Sequence, residues 1–102
     1  MNKGGYIYIL TNKNNTVLYT GVSNSLLRRI EEHRSGKDVK SFTTKYNCTK
    51  LVYFEFFDNI EEAIIREKYI KGKKRVYKLE LIKELNPNWD NLFEQREDYS
   101  LI

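Results

Sequence analysis

The sequence GYIYILTNKNNTVLYTG, residues 5 to 21, decides the fold of this chain of 102 residues. Its first part is rich in β-forming residues, and their alternation places three side chains on one face of a strand: Tyr6, Tyr8 and Leu10. An asparagine-rich turn follows, and a second strand over 16–20 ends at Gly21. Two strands joined by so short a connection predict a β-hairpin.

A third strand is predicted over 51–57, where the sequence LVYFEFF is apolar on both sides, as in a central or well-covered strand. Capping residues and helical spacing predict the helices. The first runs from Ser23 or Asn24 to 35, before Gly36, and the second from Asp58 or Asn59 to Gly72. A third covers 74–85, before Pro87, and a weaker pattern indicates a short helix over 42–46. The predicted apolar stripes of the two later long helices contain Ile60, Ala63, Ile64, Ile70, Val76, Leu79, Leu81, Ile82 and Leu85. The order of elements predicts an α+β fold, a small three-stranded and mostly antiparallel sheet flanked by helices, in one domain over 1–102 with its core at about 5–92.

The composition narrows the class of protein. Apolar residues make up 40% of the chain, enough for a packed core, yet no apolar run approaches the ~20 residues that cross a bilayer. The N-terminus has no apolar stretch of the kind that directs secretion, and the single cysteine, Cys48, cannot form an internal disulfide. We therefore expect a cytosolic protein that does not bind membranes, with a monomer as the default.

The basic residues are concentrated in the first half of the chain. Residues 1–50 contain nine Lys and Arg against three acidic residues, a charge of +6, whereas 51–102 contain nine against eleven, a charge of −2. A basic surface attracts phosphate backbones without reading sequence. The same charges also fit a surface that only keeps the protein in solution, and charge alone does not decide between the two.

Several polar residues depart from the packing pattern. Glu67 lies along the apolar stripe of its helix, where a carboxylate needs a cation or a donor, although for this residue alone a surface pair with Lys71 four residues later is the simpler interpretation. Arg29 and His33 form an i, i+4 pair on the first helix, and the alternative there is a surface arginine and a satisfied histidine. The hairpin brings together Tyr8 and Tyr19, for which aromatic packing is the simpler interpretation.

Taken together, these residues resemble the signature of the GIY-YIG nuclease superfamily, in its small stand-alone bacterial branch. The matching segments are YIY at 6–8, YTG at 19–21, VSNSLLRR at 22–29, IEEH at 30–33, FTTKY at 42–46, AIIREKYIKG at 63–72 and NPNW at 86–89. The first motif has tyrosine where the superfamily name has glycine, and Lys73 stands where the branch often has tryptophan.

The resemblance implies a metal-dependent DNA endonuclease that hydrolyses phosphodiester bonds. In it, Glu67 would hold one Mg²⁺ or Mn²⁺ ion, with water and substrate phosphate completing the shell. Tyr8 would orient or deprotonate the attacking water, and Tyr19 would assist it. Arg29 would bind phosphate oxygens, His33 would be an auxiliary group for proton transfer or phosphate binding, and the superfamily's asparagine would match Asn86 rather than Asn88. The candidate nucleic-acid contacts are Gly21, Arg28, Lys45, Lys71, Lys73, Lys74 and Arg75.

Two other functions stay open at this point. One is a nucleic-acid-binding module that retains the fold without catalysis. The other is a protein adaptor, which would expose Phe54, Phe56 or Phe57 in a contiguous apolar patch. The partner expected for the nuclease is DNA, with RNA as the alternative, and no small-molecule cofactor. Because the chain has no room for a separate targeting domain, we expect selection by nucleic-acid structure, weak specificity, or a targeting protein partner.

Overall fold

The computed structural model describes residues 4–35 and 45–94, apart from the side chains of 33–35. The chain forms three strands and three helices within these ranges: β1 (Gly5–Thr11), β2 (Leu18–Ser23), α1 (Leu26–Ser35), β3 (Lys50–Phe57), α2 (Ile60–Lys71) and α3 (Arg75–Leu85). This order confirms the predicted α+β class. The helix predicted over 42–46 lies almost entirely outside the described residues. No helix in the described part is long and apolar enough to cross a membrane.

The three strands form one antiparallel sheet in the order β2-β1-β3, which confirms the hairpin. The predicted start of β2 is wrong by two residues, because the side chain of Asn12 organises the turn. Its Oδ1 accepts hydrogen bonds from the backbone N–H groups of Thr16 at 2.8 Å and Val17 at 3.1 Å, so these residues belong to the loop. As a consequence β2 continues to Ser23, and Gly21 lies inside the strand rather than at its end.

Alternation along the central strand divides the core into two layers. Tyr8 and Leu10 face α1 on one side of the sheet, whereas Ile7 and Ile9 face α2 and α3 on the other. The buried helical side chains that cover them are Leu26 and Ile30 on the first face, and Ala63, Ile70 and Ile82 on the second. β3 lies at an edge rather than the centre, and its Phe56 is 55% exposed.

The helix boundaries were predicted with mixed success. Asn59 caps α2 as expected, accepting a hydrogen bond from the N–H of Glu62 at 2.9 Å. At α1 the prediction was wrong, because Ser25 is the residue whose Oγ accepts from the N–H of Arg28, at 3.3 Å. Ser23 instead accepts from the N–H of Ser25 at 3.1 Å and fixes the turn that leads into the helix. The correction moves the start of α1 by one or two residues without changing the topology.

The apolar stripes of the later helices are narrower than predicted. Ile64 is 37% exposed, Val76 60% and Leu85 51%, so none of them belongs to the core. A three-stranded sheet is too narrow to cover the full apolar face of two helices, and only the residues directly above it become buried. Glu67, which shares the stripe of α2, therefore lies where the helix leaves the sheet beside the β2 edge.

Candidate active site

The phenol of Tyr8 is the centre of the candidate site. Tyr8 is 1% exposed and lies in the central strand, paired with Gly21 on β2 and Phe54 on β3. Its ring crosses over Gly21 so closely that a Cβ atom at that position would lie 2.5 Å from both the Cζ and the hydroxyl of Tyr8. Only glycine at position 21 therefore leaves room for the ring of Tyr8, and the phenol is directed across the edge strand β2.

The second tyrosine of the motif lies beside the first. The rings of Tyr8 and Tyr19 have centroids 6.3 Å apart and planes inclined at 43°. Tyr19 is half-buried, two residues before Gly21 on the same face of β2. The hairpin register thus brings the two predicted phenols into contact at the open side of the sheet.

Arg29 approaches the same phenol from α1. Its Nη1 lies 3.6 Å from a carboxylate oxygen of Glu32, and both side chains are about 40% exposed. Its Nε atom is buried and has no hydrogen-bond partner among the described residues. A buried N–H donor without a partner is unfavourable by about 1–3 kcal/mol, so the guanidinium retains a donor that an incoming anion can satisfy.

Glu67 reaches the site from α2. Its side chain is 13% exposed, and one carboxylate oxygen lies 2.9 Å from the ammonium of Lys71, one helical turn later. The sequence allowed either a surface pair with Lys71 or a carboxylate at the site. The structure shows the ion pair, and after burial and Tyr19 the Glu67 carboxylate is among the groups that raise the pKa of Tyr8.

The pKa of Tyr8 reflects the groups that surround its phenol. Burial raises the pKa of the phenol well above its usual value, and the nearby Tyr19, Glu67 and Glu32 raise it further, whereas Arg29 lowers it. Groups from β2, α1 and α2 therefore act on one hydroxyl of β1. At neutral pH this hydroxyl is protonated, and an additional positive charge beside it is needed before it can release its proton.

The carboxylates suit a cation with mostly water ligands. No group of three His, Cys, Asp or Glu residues within the described ranges could enclose a metal ion. Mg²⁺ retains several waters and binds through one or two carboxylates together with substrate phosphate, so the nearly buried carboxylate of Glu67 fits it. A closed zinc site does not fit this set of residues.

The remaining predicted contacts are distributed around the site. The Arg28 guanidinium donates to Asn24 Oδ1 at 3.0 Å on the exposed side of α1, and Lys45 lies 5.4 Å from the ring centre of its neighbour Tyr46. Lys74 is exposed at the start of α3, where its side chain makes no capping hydrogen bond. The side chain of His33 lies outside the described residues. The structure brings none of these described side chains against Tyr8.

Lys73 and Arg75 hold defined positions. The ammonium of Lys73 lies 4.5 Å from the ring centre of Tyr69 and 5.9 Å from that of Tyr77, so aromatic faces hold it on the side of α2 and α3. Arg75 donates from Nη2 to the carbonyl oxygen of Thr16 at 3.2 Å, which fastens α3 to the start of β2. Of the two, only Arg75 lies along the edge strand that carries the candidate site.

Asn86 has a structural role. It is 4% exposed, its Nδ2 donates to the carbonyl oxygens of Val52 at 3.2 Å and Asp90 at 2.8 Å, and its Oδ1 accepts from the N–H of Asp90 at 3.0 Å. These bonds fasten the segment after α3 to β3. Among the two candidate asparagines Asn86 is thus the buried one, and its hydrogen bonds account for it without a contact to Tyr8.

Two residues near the site escaped the sequence analysis. Thr20 and Lys78 line a cavity of about 260 Å³ beside β2, together with Leu18, Tyr19 and Lys71. Lys78 follows Arg75 by three residues on α3, and this helical spacing was the available signal that the two basic side chains share a face. Thr20 gave no signal, because a threonine in a strand is ordinary.

Comparisons with known proteins agree with the motifs. A profile of the GIY-YIG catalytic domain matches residues 4–80. A UPF0213 protein of Clostridium perfringens is 49% identical over 77 residues, covering 76% of this chain and 81% of the relative. One from Syntrophus aciditrophicus is 40% identical over 82 residues, covering 80% and 92%. The solution NMR structure of a UPF0213 protein from Bacillus halodurans has a TM-score of 0.55 and 29% identity, and covers 93% of this chain and 99% of that one.

Proposed function

Because the chain belongs to the family of GIY-YIG catalytic domains, a nuclease superfamily with small stand-alone members, we propose that it is a metal-dependent endonuclease that hydrolyses phosphodiester bonds of DNA. The observation that carries the proposal is the convergence on the Tyr8 phenol of Tyr19, Arg29 and Glu67, which come from three other elements. A structural core has no need to gather a guanidinium, a carboxylate and a second phenol around one protonated hydroxyl.

In this proposal Glu67 holds one Mg²⁺ or Mn²⁺ ion. The ion would supply the positive charge that neutralises the phosphate and lowers the pKa of a neighbouring proton donor. Lys71, already bonded to Glu67 at 2.9 Å, must move aside or share the carboxylate when an ion binds. Its half-exposed side chain has the freedom to do so, because only 50% of it is covered by the rest of the protein.

In this proposal Tyr8 orients the attacking water. When nearby positive charge lets the phenol release its own proton to solvent, the resulting phenolate accepts the proton of that water. The phenol alone holds its proton too firmly, because burial and the neighbouring Tyr19 raise its pKa more than Arg29 lowers it. The unpaired Nε of Arg29 suits a non-bridging phosphate oxygen, where charge increases during the reaction. Tyr19 supports Tyr8 through the contact between their rings. His33 stays an auxiliary candidate from the sequence alone.

The substrate preference follows from the kind of group around the site. Guanidinium and ammonium groups contact phosphates, which carry no sequence information. We therefore propose that the enzyme selects DNA by shape, such as branches, flaps or single strands, or acts with weak specificity. A separate protein partner would then supply targeting, and RNA is the alternative substrate for the same phosphate contacts.

The proposal is tested by measuring DNA cleavage with different substrates, metal ions and protein variants. Labelled plasmid, branched and single-stranded DNA are incubated with the protein in Mg²⁺, Mn²⁺ or EDTA, and products are resolved on denaturing gels. We expect cleavage with either metal and none with EDTA or in Glu67→Gln. Glu61→Gln is the matched control, because Glu61 is an exposed carboxylate on the same helix. Cleavage by Glu67→Gln at the rate of the unaltered protein would refute the metal assignment.

The same experiment tests the second candidate function, a binding module without catalysis. The basic residues of 1–50, at +6, favour binding whether or not the site reacts. Such a module would retain DNA in a salt-sensitive manner and release no product with any metal. Metal-dependent turnover that Glu67→Gln abolishes and Glu61→Gln preserves excludes it.

A further inference from the structure

A cavity lies against the edge strand beside the candidate active site. Its volume is about 260 Å³, and its walls are Leu18, Tyr19 and Thr20 of β2, Lys71 of α2 and Lys78 of α3. Lys71 belongs to both places, because its ammonium lines the cavity and also pairs with Glu67. The cavity and the candidate metal ligand are thus one helical turn apart.

Two lysines, Lys71 and Lys78, line this cavity, and Arg75 lies close enough to affect Lys78. Burial lowers the pKa of Lys78, and the neighbouring Lys71 and Arg75 lower it further. No acidic residue is among the groups that act on Lys78 in the part of the chain that the structure describes. Arg75 is held to the loop before β2 by its bond to the Thr16 carbonyl oxygen. Glu67 compensates Lys71, but Lys71 and Arg75 both repel the charge of Lys78, and an anion in the cavity would relieve that repulsion.

The wall of the cavity also contains an unused polar group. Thr20 is 3% exposed, and its hydroxyl is buried without a hydrogen-bond partner among the described residues. Buried hydroxyl groups in proteins nearly always have a partner, in the protein or in what binds to it. A hydroxyl without a partner, in the wall of a cavity that two lysines line, is a pattern that suits the oxygens of a phosphate.

We propose that this cavity is a second phosphate-binding site, which holds the backbone phosphate of a nucleotide next to the bond that is cleaved. Lys78 provides the main charge, Thr20 provides a hydroxyl, and Lys71 lies between this phosphate and the one at Glu67. The inference rests on the proposed function for the position of the cavity along a DNA strand. The binding of phosphate by the cavity does not depend on catalysis.

The first test measures binding without metal or cleavage. Amide chemical shifts of ¹⁵N-labelled protein are followed by NMR during titration with inorganic phosphate and then with a dinucleoside monophosphate. We expect saturable shifts at Leu18, Thr20 and Lys78 that are absent in Lys78→Met and weaker in Thr20→Val. Lys83→Met is the matched control, since Lys83 is an exposed lysine of the same helix. Thermal melting of each variant shows whether it is folded.

The second test uses DNA cleavage. For Lys78→Met we expect KM to rise on the order of tenfold with kcat within about twofold, because a phosphate contact made equally before and during the reaction contributes uniform binding. The slope of log K against log salt should fall by about 1. A merely structural lysine would alter the melting temperature without this pattern.

The outcomes distinguish the second phosphate site from the proposed nuclease function. Saturable shifts in the cavity that disappear in Lys78→Met support the second phosphate site even if no metal produces cleavage, which would count against the proposed function alone. Shifts that persist in Lys78→Met, or that avoid the cavity residues, overturn the site even if the protein cleaves DNA efficiently.

Discussion

Replacing Gly21 with alanine tests the geometry of the site most directly. The added Cβ would lie 2.5 Å from the ring and hydroxyl of Tyr8, about 1 Å inside the ~3.5 Å at which carbon atoms pack without repulsion. The ring of Tyr8 must therefore move by about that distance. Overpacking of this kind destabilises a protein by about 1–3 kcal/mol, and replacing a strand glycine by alanine offsets about 0.5–1 kcal/mol of it. We expect a net loss of about 0.5–2 kcal/mol.

The displacement should affect activity far more than stability. A displacement of about 1 Å at a reacting group lowers the rate by up to ~10²-fold, so Gly21→Ala should lose most of its metal-dependent cleavage while remaining folded. For a domain of this size each kcal/mol lowers the melting temperature by about 4–8 °C, which calorimetry resolves. Gly72→Ala is the matched control, because a Cβ there would meet its nearest neighbour, the Lys68 carbonyl oxygen, at an ordinary 3.5 Å.

A double-mutant cycle separates this explanation from a general intolerance of strand β2. Tyr8→Leu removes the ring and the hydroxyl that the new Cβ would strike. In that background Gly21→Ala should therefore cause almost no further loss of stability, and the coupling energy should account for most of the single-variant effect. Full activity and an unchanged melting temperature in Gly21→Ala would refute the reasoning, as would an equal loss in both backgrounds.

Four further outcomes are expected. Arg29→Lys should lower cleavage by about 10²–10³-fold, measured as kcat, because the planar donor set is lost while the charge remains. At 100 times its Kd, Mg²⁺ should stabilise the protein by about 2.7 kcal/mol in thermal melts, and Glu67→Gln should abolish the effect. Burial raises the pKa values of Tyr8 and Tyr53, so both should ionise last in an ultraviolet titration. Because unfolding lets these phenols ionise near pH ~10, their contribution to stability should be constant below that pH and fall above it, less steeply in Tyr53→Phe. Asn86→Ala should destabilise the fold by about 1–3 kcal/mol in urea unfolding, since it leaves buried groups unpaired.

The hairpin and the class of fold could be predicted because their signals are local. Alternation along residues 5–10 determined which side chains face α1, and the two core layers confirm it. The start of β2 was harder to predict, because the Asn12 side chain competes with strand pairing for the N–H groups of Thr16 and Val17. The first helix start failed for a similar reason, since three neighbouring residues can all act as caps and only Ser25 does so.

The candidate site could be predicted from the order of its motifs in the sequence, and not from any single residue. Considered alone, Glu67 was better explained by a surface ion pair, and that pair is present. The cavity beside β2 could not be predicted, because it depends on how α3 lies against the edge strand. The hydrogen bond from Arg75 to Thr16 joins positions 59 residues apart, and no periodicity in the sequence reports such a contact.

The ion pair between Glu67 and Lys71 bears on how the chain folds when no metal ion is present. Proteins that bind ions through crowded carboxylates depend on those ions to reach their native state, because the acids repel one another. Here the acid is compensated internally by an ammonium one turn away. We therefore expect the chain to fold in a medium depleted of divalent ions, and an ion held by Glu67 would bind more weakly because it must displace this contact.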